Sequence, residues 1–87
     1  MLKLDLSHKA RRFLDTLDAK QFRQILKKIL ALSQDPLPPD SETLGGSDFR
    51  RADIGEYRIL YSFTQDVLTV DDIGNRNDGR IYRHLKK

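Results

Sequence analysis

Leu2, Leu4 and Leu6 alternate with Lys3 and Asp5, which is the period of a short strand. Ser7 follows as a good helix N-cap, and Ala10, Phe13, Leu14 and Leu17 then recur at helical spacing. Asp18 restarts the pattern, with Gln21 three residues on as its capping-box partner. Phe22, Ile25, Leu26, Ile29 and Leu30 make one apolar stripe, while Arg23, Gln24, Lys27 and Lys28 cover the other face. The spacing predicts two helices, over residues 7–17 and 19–33, joined as a helical hairpin.

The stretch from Asp35 to Asp48 holds all three prolines and two of the five glycines, and reads as a surface loop. Beyond it the period becomes two. Ala52 and Ile54 alternate with Arg51 and Asp53, and Gly55-Glu56 is a tight turn. Tyr57, Ile59, Tyr61 and Phe63 share one face of the next strand; Arg58, Leu60 and Ser62 take the other. Thr64 to Asp66 is a second turn, and Val67 to Ile73 the last strand. A polar turn follows from Gly74 to Gly79, then a short tail from Arg80 to Lys87. The expected order is β-α-α-β-β-β-tail, an α+β chain with no internal repeat and no low-complexity segment.

With 87 residues the chain is expected to form one domain, residues 1–87, around one small core. A chain of this size buries only about 60–65% of its unfolded surface. Hydrophobic residues make up 38% and charged residues of both signs 33%, a balance that argues for a folded domain. No apolar run approaches the ~18 residues of a membrane span. The opening MLKLDLSHKA has no apolar core of a secretory signal. The absence of cysteine excludes disulfide and thiol chemistry and fits a reducing cytoplasm.

The net charge of +3 conceals a pattern. Residues 1–28 hold eight Lys/Arg and three Asp; residues 34–48 hold four acids and no base; residues 76–87 hold five bases and one acid. Basic ends around an acidic middle suit a polyanionic partner, most simply nucleic acid.

Strand periodicity sharpens this. If Ala52 and Ile54 face the core, Arg51 and Asp53 face away from it, and Arg58 on the neighbouring strand joins them. Arg76 leaves the last strand nearby, and Tyr82 follows six residues later. The expectation is that three guanidinium groups and one phenol converge. Guanidinium forks bind phosphate oxygens bidentately and keep their charge near neutrality. Attack of a ribose 2′-OH on its own phosphodiester passes through a phosphorane with added negative charge, which arginines placed there would stabilise. Nearby positive charge lowers the pKa of a phenol from about 10, so Tyr82 is a candidate to take the 2′-OH proton.

An ordinary reading stands beside this one. Taken singly, each arginine is more often a solvated strand residue paired with Asp53, Glu56 or Asp72. Tyr57, Tyr61 and Phe63 are core by their spacing, and Tyr82 equally suits a cap on the core. His8 lies just after the first N-cap, and His84 in the tail; neither makes a triad, since they stand near opposite ends. DDIGNRNDG lacks alternate acidic ligands and a closing Glu, so it is not a calcium loop. Gly45-Gly46 lacks the Lys-Ser/Thr of a P-loop. Neither a metal nor a cofactor is expected.

The segments IGEYRILY and IGNRNDGRIYRHL, in that order after a helical hairpin, resemble the signature of the RelE/ParE toxin superfamily of type II toxin–antitoxin modules. The likeness spans nearly the whole chain, including the opening strand and the DPLPPDSETLGG stretch. It implies a helical hairpin packed on an antiparallel sheet. It further implies a metal-independent endoribonuclease that cleaves mRNA in the ribosomal A site and so inhibits translation. Matched by motif, Arg51 would hold phosphate, Arg58 and Arg76 would meet transition-state charge, and Tyr82 would transfer a proton or stack on a base. Arg50, Asp53, Arg80, Arg83 and His84 complete the candidate substrate-contacting set.

Asp53 departs from the pattern, because RelE-type nucleases often carry a second basic residue there. It is either a general base or a partner of Arg51, and His84 is a candidate to compensate. The implied partners are a cognate antitoxin, the ribosome with its rRNA, and mRNA. Operator DNA is expected to be reached only through the antitoxin complex. The ParE branch poisons DNA gyrase, and a non-catalytic nucleic-acid or protein-binding module on the same scaffold is a third reading.

Overall fold

The computed structural model describes residues 1–77. Over these the order is β1 (Lys3–Leu6), α1 (His8–Asp15), α2 (Ala19–Gln34), β2 (Ser41–Thr43), β3 (Arg50–Ile54), β4 (Tyr57–Phe63) and β5 (Val67–Asn75). The chain is α+β as expected, with the helical hairpin ahead of the meander.

The two caps fall where the sequence placed them. The Ser7 hydroxyl accepts from the Ala10 N–H at 3.1 Å, and Asp18 Oδ1 accepts from the Gln21 N–H at 2.8 Å. Each satisfies one donor that the first helical turn leaves without a partner, worth about 1 kcal/mol.

The stretch expected to be loop from Asp35 to Asp48 contains a strand. β2 lies antiparallel to β3, with Ser41 opposite Ala52 and Thr43 opposite Arg50. Three residues are too few to declare a period, and flanking prolines and glycines hide them. The sheet order is β1-β5-β4-β3-β2, antiparallel except for β1, which pairs in parallel with β5.

Both helices lie on one face of this sheet. Ala10, Leu14, Ile25, Ile29 and Leu32 meet Ala52, Ile59, Tyr61, Leu68, Val70 and Ile73 in the core. Phe13 and Tyr57 close one end edge to face, with ring centroids 5.8 Å apart. The Tyr61 hydroxyl donates to the Pro36 carbonyl at 2.7 Å, tying the β2 approach to the core.

The apolar stripe of α2 is rotated from its expected position. Ile25, Ile29 and Leu32 are buried, whereas Phe22 and Leu30 are 38% and 40% exposed. The i, i+4, i+7 line sits over the sheet, and the Phe22–Leu26–Leu30 row runs along its flank.

A β-bulge sets the face of everything that follows on β5. Leu60 pairs with Asp72 but Tyr61 pairs with Val70, so Asp71 is the extra residue. Val70 and Ile73 therefore both face the core, although strict alternation would separate them. The Asp71 carbonyl accepts from the Ser7 hydroxyl at 2.6 Å, so the bulge also anchors the start of α1.

The β3–β4 turn is Gly55-Glu56, with Ile54 paired to Tyr57 and Gly55 at φ +57°. This is the two-residue hairpin that needs glycine at its first central position. Among the described residues, no helix is long and apolar enough to cross a membrane.

Candidate functional site

The face of the sheet opposite the helices carries the chemistry. Directly opposed residues share a face, so one row across this side is Glu42, Arg51, Leu60 and Asp72. The next row is Asp53, Arg58 and Gly74. Arg76 follows two residues later, in the turn beyond β5, and its backbone N–H donates to the Glu56 carbonyl at 2.8 Å.

Three guanidinium groups meet at the carboxylate of Asp53. Arg58 grips it with both edges of its fork, Nε to Oδ1 at 2.6 Å and Nη2 to Oδ2 at 3.0 Å. Arg51 Nη1 lies 3.5 Å from Oδ2, and Arg76 Nε lies 3.6 Å from the same oxygen. Arg51 is also held by Glu42 of β2 through Nη2. Arg76 donates weakly from Nη1 to the Gly55 carbonyl at 3.3 Å. Side-chain exposure rises from Arg58 at 17% through Arg51 at 25% to Arg76 at 53%, so the cluster opens toward Arg76. A cavity of about 460 Å³, lined by Glu56, Asn75, Arg76 and Asn77, lies on that open side.

The hydrogen bonds from Arg58 hold the Asp53 carboxyl below the usual carboxylate range. Partial burial works against this, and the charges of Arg58, Arg51 and Arg76 add to the lowering. Asp53 is thus an ionised acceptor held by Arg58. Of the two roles the sequence left open for it, pairing is what the geometry displays, and with three arginines rather than Arg51 alone.

Arg51, Asp53, Arg58 and Arg76 are brought together. Arg50 is not. It lies in the row of Thr43 and Tyr61 on the helix-facing side, where its Nη2 donates to the Ser41 hydroxyl at 2.7 Å. Its alternation with Arg51 carries it to the opposite face. Tyr82, Arg80, Arg83 and His84 lie outside the described residues.

On this face Glu42 escaped the sequence reading, as did the burial of Leu60. Glu42 belongs to the unrecognised β2, and no local signal marks it. Leu60 is fully buried on the side where an exposed residue was expected. A leucine among arginines was the available hint that this face carries an apolar centre. Elsewhere, Lys20, Arg23, Gln24, Lys27 and Lys28 of α2 line a groove of about 470 Å³ with Ala31 and Ile54. Lys28 is paired there with Asp40 at 2.6 Å. Among the described residues, no group of three or more His, Asp or Glu side chains is arranged to hold a metal ion.

The sequence profile of the ParE toxin of type II toxin–antitoxin systems (parDE) matches residues 4–79. No curated protein sequence matches. Among solved structures, the archaeal RelE–RelB complex from Pyrococcus horikoshii is similar at 25% identity and a TM-score of 0.77, covering 91% of this chain and 97% of that one. The isolated E. coli RelE toxin is similar at 19% identity and a TM-score of 0.77, covering 98% and 95%. The RelBE2 toxin–antitoxin complex of Mycobacterium tuberculosis is similar at 21% identity and a TM-score of 0.75, covering 86% and 98%. At 19% and 21% identity the last two speak to the fold alone.

Proposed function

The chain belongs to the ParE-toxin family of type II toxin–antitoxin systems, within the RelE/ParE superfamily, and from that premise we propose that this toxin is a ribosome-dependent endoribonuclease that cuts mRNA in the A site. The observation that carries the reading is the convergence of Arg51, Arg58 and Arg76 on one face of the sheet, at the open side of the meander. An arrangement of fixed guanidinium groups suits a phosphodiester, and more so a phosphorane with its extra charge.

In this reaction the 2′-oxygen gives up its proton and bonds to phosphorus, the bond from phosphorus to the 5′-oxygen breaks, and the 5′-oxygen takes a proton from water. Arg51 holds the phosphate, while Arg58 and Arg76 meet the developing charge. Tyr82 removes the 2′-OH proton or stacks on the base. No metal is needed for these steps, because the cationic charge comes from arginine. The partners are a cognate antitoxin that masks the basic surface, the ribosome with its rRNA, and mRNA, all in the cytoplasm. The toxin–antitoxin complexes among similar structures support the first of these.

One observation favours a second reading. The matching profile is that of ParE, and a carboxylate occupies the fork of Arg58, which suits a protein that inhibits DNA gyrase without cutting RNA. Purified toxin added to translating ribosomes, assayed by primer extension, separates the two. A-site cleavage is expected. Intact message together with blocked gyrase supercoiling moves the function to gyrase. Neither effect leaves a binding module on the same fold.

A further inference from the structure

Asp53 faces the arginines from the middle of β3, and its role is open to three readings. As a general base it would work best with an oxygen not committed to a strong donor and with an ordinary or raised pKa. Instead Oδ1 takes Arg58 Nε at 2.6 Å, and Oδ2 takes Arg58 Nη2 at 3.0 Å. As a plug displaced by substrate, it would have to surrender two charge-assisted hydrogen bonds to Arg58. The third reading fits the distances. Arg51 Nη1 and Arg76 Nε approach a single vertex, Oδ2, at 3.5 and 3.6 Å, too long for strong hydrogen bonds but close enough to be drawn together. Arg51 and Arg76 arrive from different elements, β3 and the turn after β5, and both are more exposed than Arg58.

We infer that Asp53 is a positioning residue: it locks Arg58 across the hairpin and, with Glu42 holding Arg51 from the other side, gathers Arg51 and Arg76 so that their remaining N–H groups meet one phosphodiester on the open side of the cluster. Without the carboxylate, three like charges repel, and the most exposed arm, Arg76, swings into solvent. The carboxylate lowers the net charge of the site and at the same time gives it shape. This rests on the reading of the arginines as phosphate-contacting and not on the ribosome as the setting.

The experiment uses the full-length toxin and its Asp53→Asn, Asp53→Ala and Asp53→Glu variants, each checked for folding by thermal denaturation. The probe is a dinucleotide with 2′-deoxyribose at the scissile position, which binds without being cut. Its binding is followed by the Nε–Hε NMR signals of Arg51, Arg58 and Arg76. Asp53→Asn keeps the size and raises the net charge by one, so attraction by charge alone predicts tighter binding. Positioning predicts the reverse: about tenfold weaker binding, a narrowed Arg76 signal at the free-arginine position, and partial rescue by Asp53→Glu. Single-turnover cleavage on ribosomes should fall by about 10²-fold in the chemical step, with little change in ribosome affinity.

Equal or tighter probe binding by a folded Asp53→Asn protein overturns the inference, as does a wild-type toxin whose arginine signals ignore the probe. If the wild-type protein binds the probe and the variants lose it, yet no ribosomal cleavage occurs, the nuclease reading fails while the positioning role stands.

Discussion

Arg58 and Asp53 stand directly opposite each other on β4 and β3, and the guanidinium holds both carboxylate oxygens, at 2.6 and 3.0 Å. The pair spans the hairpin one step from its Gly55-Glu56 turn, so it also fastens the register there. With side chains 17% and 28% exposed, it is more sheltered than a surface ion pair. Arg58→Ala should leave the Asp53 carboxylate without its main donor and destabilise the fold by about 1–3 kcal/mol. Urea denaturation of the variant measures this, and Arg58→Lys should recover only part, since an ammonium cannot form the fork.

The lowered pKa of Asp53 sets a pH dependence. Its folded-state value lies below the unfolded value of about 3.9, so its contribution is fully present above that pH. It is lost as pH falls through the lower folded-state value, where the native carboxylate finally takes up a proton. Denaturant midpoints recorded from pH 6 to pH 2.5 should drop across this acid window. Asp53→Asn should be less stable at neutral pH and show a shallower drop.

Arg76 is the most exposed of the three arginines, and among the described residues no core contact depends on it. Arg76→Ala should keep the melting temperature within a few degrees and reduce ribosomal mRNA cleavage by about 10²-fold or more. Tyr82→Phe is expected to behave likewise. Full cleavage by both variants would remove these residues from the site.

Gly55 combines φ +57° with a close approach to α2, where an added Cβ would lie 2.8 Å from Gln24 Nε2. The backbone conformation is the larger obstacle, because the Gln24 amide is the end of a flexible side chain. Gly55→Ala should destabilise by about 1–2 kcal/mol, and adding Gln24→Ala should restore only a small part. Full rescue would place the cost in the contact instead.

Tyr61 is fully buried yet carries a hydroxyl, satisfied by the Pro36 carbonyl at 2.7 Å. Tyr61→Phe should cost about 1–2 kcal/mol, with faster amide hydrogen exchange in β2 than in β4. Uniform loss of protection would mean that the bond does not specifically hold the approach to β2.

The local rules were legible in the chain. Ser7 and Asp18 announce helix starts because a side-chain oxygen must meet an unpaired N–H. Tyr57, Ile59, Tyr61 and Phe63 declare a strand because alternate side chains share a face. The motifs of the second half pointed to the superfamily that the profile match supports. What local period could not supply was most of the pairing between distant segments. β2 exists because β3 offers it an edge, and Phe22 and Leu30 stay exposed because Ile25, Ile29 and Leu32 are the line that reaches the sheet.

The bulge is the clearest instance. Arg76 has the same parity as the core residues Leu68 and Val70, so an unbroken β5 would send it to the helix side. The extra residue Asp71 reverses that parity and brings Arg76 to Asp53, whose oxygens already hold Arg58. Sequence by itself determined which residues carry charge and which strands alternate. Tertiary structure alone decided that three arginines share one carboxylate, because a one-residue slip in pairing exchanges the two faces of everything beyond it.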